Sequence, residues 1–291
     1  MSFVDAIERI MTPSPTIFIA GLLIILLVPI FLHYLVVRST PFTTPPQILL
    51  LGPSLAGKTS LLTRLERGTS AASTHTSQVP VSIELTTSAT STHAHADKPA
   101  APDDGAAHTK FLLADTPGHG KLRQGALGQL SPEAMSANKT KAVVFVVDAS
   151  TLTDHETLSA AAMFLYDALL CLQRRATSAK TGRVSSVPVL VAANKLDLFT
   201  ALPAALVKAN LEAELGRIRG SRSKGLLDSG VGIDEVGNEE RDDWLGSYGS
   251  EKFLFDQMTE FGVDVDVVGG NVVGENGPGI EKWWQWMVDK I

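Results

Sequence analysis

Gly52-Pro53-Ser54-Leu55-Ala56-Gly57-Lys58-Thr59 is the stretch on which the fold turns. It matches GxxxxGK[ST], and its neighbours are those the pattern needs. The apolar run QILLL (47–51) precedes it and the amphipathic run TSLLTRLER (59–67) follows. A strand feeding a glycine-bearing loop that opens a helix lets backbone N–H groups wrap around phosphate oxygens, and the helix N-terminus adds a favourable dipole. Lys58 is placed to reach the β- and γ-phosphates of a nucleotide, and Thr59 to ligate Mg²⁺ through its hydroxyl. Gly52 to Thr59, with Ser60 behind them, form the candidate phosphate site.

A second motif, Asp115-Thr116-Pro117-Gly118, ends the apolar run KFLLA (110–114). An acid at that point can hold Mg²⁺ through water, and the Gly118 amide can sense a γ-phosphate. Alone, DxxG is also an ordinary turn; its weight comes from following the phosphate loop on the next core strand. The third motif is Asn194-Lys195-Leu196-Asp197, after VPVLVAA (187–193). The Asp197 carboxylate can accept from both N1–H and the 2-amino group of guanine, which adenine cannot offer, while Asn194 and Lys195 brace the base and the phosphate loop. The motif stands at the carboxyl end of a strand, where open α/β sheets bind ligands. Three motifs in this order point to GTP or GDP rather than ATP.

The rest of the chain alternates in the same way. Runs 47–51, 110–114, 142–147, 187–193 and 263–268 suit buried parallel strands, and Val79, Val81, Ile83 and Leu85 alternate as in a half-buried edge strand. Helical patterns cover 59–67, 155–174 and 202–219. A last helix over 279–291 carries Ile280, Trp283, Trp284, Met287, Val288 and Ile291 on one stripe, which reads as core packing. The expectation is an α/β, three-layer P-loop domain over 47–291 with a mainly parallel sheet. Two polar, aperiodic stretches, about 88–108 and 220–250, are expected to be flexible insertions, with a shorter polar insert at 178–186. His93, His95 and His108 in the first read as loop residues rather than a metal site.

Upstream, IFIAGLLIILLVPIFLHYLVV (17–37) is 21 residues without a formal charge. As a helix it spans about 30 Å, the thickness of a bilayer core. It is longer than a signal-peptide core, has no small-x-small site after it and begins on acidic ground (Asp5, Glu8), so a transmembrane anchor is expected, with a short tail (1–16) before it and a Ser/Thr/Pro tether (38–46) after it. Ser2 stands where myristoylation needs glycine and no CaaX box is present, so anchoring rests on this helix. The net charge of −6 argues against direct nucleic-acid binding. The single cysteine, Cys171, sits in an apolar helical run and reads as a structural thiol.

With the anchor, these motifs resemble one family, the beta subunit of the signal recognition particle receptor, small GTPases related to the Arf and Sar proteins. The resemblance covers nearly the whole chain and is carried by GPSLAGKTSLL (52–62), LADTPGHGKLR (113–123), AVVFVVDAS (142–150), FLYDALL (164–170), VLVAANKLDL (189–198) and EKWWQWM (281–287). It implies a single-pass protein of the endoplasmic reticulum membrane with its GTPase domain in the cytosol. In that family the GTP-bound domain holds the receptor alpha subunit as a heterodimer, near the translocon and the ribosome. It also implies a switch threonine completing Mg²⁺ coordination at Thr76, with Thr74 beside it, and a base loop at Val268-Gly269-Gly270 that contacts guanine through backbone amides. His119 stands where related enzymes keep a glutamine; it either orients attacking water or caps the switch. Slow intrinsic hydrolysis is therefore expected. Two other readings are a scaffold with permanently bound GTP and an Arf-like trafficking GTPase, although the latter use amphipathic rather than uniformly apolar N-terminal helices.

Overall fold

The computed structural model describes residues 15–39, 45–68, 74–87, 109–178, 186–228, 244–247, 250, 252–274 and 279–291. The expected insertion at 88–108, most of the tail and tether, and 179–185 lie outside the described residues. The chain divides into two units, 1–44 and 45–291.

Among the described residues the first unit holds one helix, α1 (Pro15–Ser39), with Pro29 inside it. Its described apolar side chains, from Phe18 to Phe31 and on to Leu32 and Tyr34, are exposed. Among the described residues no helix is long and apolar enough to cross a membrane. Within α1 the side chains at 16, 17, 20 and 35–39 are outside the described residues, so the run 17–37 is described only in part.

The second unit is a six-stranded sheet in the order β2-β3-β1-β4-β5-β6. Its strands are β1 (Gln47–Leu51), β2 (Val81–Thr87), β3 (Thr109–Asp115), β4 (Thr140–Asp148), β5 (Val189–Asn194) and β6 (Val265–Gly269). Neighbouring strands run parallel except β2, which pairs antiparallel with β3 at the edge, Ile83 opposite Leu113. Among the described residues the helices are α2 (Lys58–Arg67), α3 (Arg123–Gly128), α4 (Pro132–Ala137), α5 (His155–Ser178), α6 (Ala204–Asp228) and α7 (Glu281–Asp289).

Strand alternation sorts the central residues onto two faces, so a continuous apolar run serves both. Leu49, Leu51, Phe145 and Val147 join Phe164, Leu165, Leu169, Leu211 and Leu215 of α5 and α6 in one core. Ile48, Leu50, Val144 and Val146 join Leu61 and Leu65 of α2 and Trp283, Trp284 and Met287 of α7 in the other. Three layers follow from these two cores. The tryptophan stripe of α7 is core packing as read from its spacing, and the Trp283 indole donates to Val268 O at 2.9 Å, which also satisfies its one polar atom. The short α4 carries a start signal that the hydrophobic pattern did not reveal: Ser131 caps it, accepting from Ala134 N, with Pro132 in the first turn.

The stretch expected as a flexible insertion at 220–250 departs from that expectation at both ends. Helix α6 continues to Asp228, and Leu245 is fully buried. The second end is held by Arg219, itself buried, whose guanidinium donates to Leu245 O (3.1 Å), Ser250 Oγ (3.0 Å) and Ser250 O (2.6 Å) and stacks over Trp244 and Phe253. Gln173 of α5 adds a bond to Trp244 O and accepts from Gly246 N. Aromatic faces and carbonyls thus replace the water an exposed arginine would keep, and burial holds the Arg219 pKa below its ordinary value. Arg219→Ala is expected to cost about 2–4 kcal/mol, because it strands buried carbonyls and empties the space between two rings. Urea unfolding measures this, with a midpoint within error of wild type as the contrary result.

Candidate functional site

The loop after β1 is shaped by its glycines. Gly52 has φ +136°, and a Cβ there would lie 2.1 Å from Val146 O; Gly57 has φ +98°, and a Cβ there would lie 2.2 Å from Asn194 Nδ2. No other residue fits either place. Lys58 opens α2 and folds back over the loop, its ammonium donating to Gly52 O and Pro53 O at 2.8 Å each. It is only 5% exposed. Burial brings its pKa down from 10.5 to about 8, although the Asp115 carboxylate pulls the other way. A buried ammonium held on two carbonyls is ready to exchange them for an anion.

Next to it, Thr59 Oγ1 donates to Asp115 Oδ2 at 2.7 Å. Asp115 is fully buried at the end of β3, its Oδ1 without a hydrogen-bond partner. Burial raises its pKa, against the Thr59 bond and the charge of Lys58. Hydroxyl and carboxylate oxygens side by side, one of them unsatisfied, suit a hard divalent cation such as Mg²⁺, which takes few protein ligands and completes its shell with phosphate and water. Among the described residues no group of three His, Cys, Asp or Glu forms a metal site on side chains alone. Thr116 anchors the following turn through its hydroxyl on Leu50 O. Gly118 then packs against the phosphate loop so closely that a Cβ would meet Gly52 O at 2.5 Å and Lys58 Nζ at 2.6 Å.

At the other end, Asn194 ties three loops together. Its Nδ2 donates to Ala56 O at 2.8 Å, and its Oδ1 accepts from Lys195 N (2.8 Å) and Val272 N (3.1 Å). Lys195 pairs with Asp148 Oδ2 at 2.5 Å. Asp197 is exposed on the cleft wall.

These elements enclose a cleft of about 500 Å³. Of the sequence-predicted residues, Ser54, Leu55, Gly57, Lys58, Thr59, Ser60, Thr76, Gly118, Asn194, Lys195 and Asp197 line it. Gly52, Pro53, Ala56 and Asp115 are not on its wall; Ala56 and Asp115 act from behind through the bonds above. Thr74 lines it as well as Thr76, and its hydroxyl lies 2.9 Å from that of Ser60. Two positions are placed differently from expectation. Gly269 does not line the cleft: it lies within β6, the space beside it filled by Leu196, and the Gly270 amide is spent on Ala193 O. Val272 and Val273 form that edge instead; the sequence signal was the apolar pair beginning three residues past the strand. His119 is exposed and off the cleft wall, its Nδ1 accepting from Lys121 N at 3.3 Å as the cap of a short 3-10 turn, Gly120–Leu122.

The family model for the signal recognition particle receptor beta subunit matches residues 43–261. The signal recognition particle receptor subunit beta of Saccharomyces cerevisiae is 31% identical over 249 residues, covering 84% of each chain. The subunit beta of Dictyostelium discoideum is 30% identical over 230 residues, covering 79% of this chain and 64% of its own. Among solved structures, the SRb-GTP/SRX complex from Chaetomium thermophilum is 41% identical with a TM-score of 0.69, covering 84% of this chain and all of that one. The SRb-GDP-Mg structure from the same organism is 43% identical with a TM-score of 0.62, covering 86% and 100%. By both the family model and these relatives, the chain belongs to the signal recognition particle receptor beta subunit family.

Proposed function

We propose that this chain is the GTP-binding, membrane-anchored beta subunit of a signal recognition particle receptor, and that it tethers the alpha subunit at the endoplasmic reticulum. The carrying observation is that three separated motifs, at 52–59, 115–118 and 194–197, meet on one cleft with their chemistries in order. Lys58 and the loop amides take the phosphates. Thr59 and Asp115, with Thr76 from the switch, hold Mg²⁺, which neutralises phosphate charge when bound. Asp197 reads guanine while Asn194 fixes the loop that presents it. The related structures with GTP and with GDP and magnesium support this assignment.

Slow turnover is supported by His119, whose ring is engaged in capping rather than facing the cleft. Under this reading the run 17–37 is the anchor, its uniform apolarity and length fitting a single pass, and the domain from residue 47 faces the cytosol. Thr74–Ile83 and Gly118–Arg123 flank the phosphate end, so they form the surface that responds to the γ-phosphate and that the alpha subunit reads. By linkage, the alpha subunit then tightens GTP binding by the same free energy that GTP adds to the alpha subunit's own binding, acting through slower GTP loss. The check is the GTP off-rate of the full-length protein in detergent, with and without the alpha subunit's N-terminal domain. Slower release with the partner is expected. Equal off-rates, with equal partner affinity for GDP and GTP forms, leave only a scaffold with permanently bound GTP.

A further inference from the structure

Among the described residues three that are not glycine have positive φ: Leu55 (+66°), Lys139 (+50°) and Lys195 (+65°). Lys139 ends the turn before β4. The other two line the cleft and flank the Asn194–Ala56 bond. A left-handed backbone is disfavoured for residues with a Cβ, and is suited to glycine or asparagine. Leu55 is also 77% exposed. Neither backbone preference nor burial within the protein accounts for a leucine at this place, and strain of this kind persists where it serves a site.

The Asn194 bond to Ala56 and the close approach of Asn194 to Gly57 make 55–57 the point where the phosphate loop meets the base-reading loop. Gly118 lies against Lys58, and both line the cleft with Asp197, which follows Asn194 by three residues. Leu55 lines the same cleft and directly precedes the Ala56 carbonyl that joins the two loops. Leu198 and Val273, also largely exposed, give the same cleft further apolar lining.

We propose that Leu55 is an apolar cover over the sugar of the bound nucleotide, keeping its strained backbone because the cover slows nucleotide release. The inference rests on the guanine-nucleotide reading above. A leucine held over the sugar excludes water from the middle of the cleft, which strengthens the adjoining charged contacts at Lys58.

The test uses the full-length protein in detergent with GDP tritiated at C8 of the guanine base, so that no label sits on the sugar. Leu55→Gly and Leu55→Asn are expected to release GDP about tenfold faster, the loss of one good apolar contact. The same variants relieve the backbone strain, so their nucleotide-free unfolding midpoint is expected to rise by about 2–4 °C. Leu55→Met, which keeps an apolar side chain of similar volume, should retain release within about twofold of wild type. Release unchanged in the glycine and asparagine variants overturns the cover, as does faster release with a lowered midpoint, which marks a damaged loop. A wild-type protein that fails to retain GDP overturns instead the guanine reading on which the cover depends.

Discussion

Lys58→Ala is expected to lower the affinity for GTP and GDP about a hundredfold, the weight of a charge-assisted contact to phosphate in a partly desolvated loop. The fold should survive. Alanine is the best helix former at the start of α2, and the change removes a buried charge along with its bonds to Gly52 O and Pro53 O. The same lysine gives a pH signature. Its folded pKa of about 8 lies below the unfolded 10.5, so the unfolded chain binds more protons between those values. The nucleotide-free protein therefore gains stability as pH rises from about 8 toward 10.5, and below that window bears the full cost of the buried ammonium. Phosphates favour the charged form, so nucleotide binding near pH 8.5, roughly half a unit above that pKa, takes up a proton. Titration calorimetry in two buffers of different ionisation heat measures the uptake, which Lys58→Ala abolishes. Unchanged affinity in the variant would place the phosphates elsewhere.

Asp197→Asn is expected to exchange guanine preference for xanthine. The wild-type carboxylate accepts two hydrogen bonds that a wrong base leaves unmade, so GTP should outcompete ATP by about a hundredfold or more. The asparagine amide instead donates to the 2-carbonyl of xanthine and forfeits the bond from the guanine 2-amino group. A similar factor is lost for GTP and regained for XTP. Two features make the exchange clean. Asp197 is exposed on the cleft wall, so the substitution disturbs no core, and the loop is held by Asn194 and by the Lys195–Asp148 pair rather than by Asp197 itself. Competition of unlabelled ATP, GTP and XTP against labelled GDP reads the outcome. Equal competition by ATP against the wild type removes the guanine assignment.

The core strands and the site were legible for a common reason: each is encoded locally. Buried parallel strands such as Gln47–Leu51 need apolar residues on both faces, so they appear as continuous runs. The phosphate loop needs glycine at Gly52 and Gly57 because both have positive φ and a Cβ there would clash with Val146 O and Asn194 Nδ2. The clamp around Arg219 was not legible. An arginine followed by a polar, glycine-rich stretch reads as solvated until Trp244, Leu245, Ser250 and Phe253 are brought back onto it from up to 34 residues further on.

The edge of the cleft shows the same division. The sequence by itself determined that strand, loop and helix follow one another around Lys58, and that an acid and an NKxD element end later strands, because backbone conformation and strand-end position depend on neighbours in the chain. Only the tertiary structure decided that Val272 and Val273, not Gly269, border the cleft. That choice turns on Leu196 filling the space beside Gly269 and on Asn194 taking the Val272 amide 78 residues away, a packing and hydrogen-bonding outcome that no local run of residues encodes.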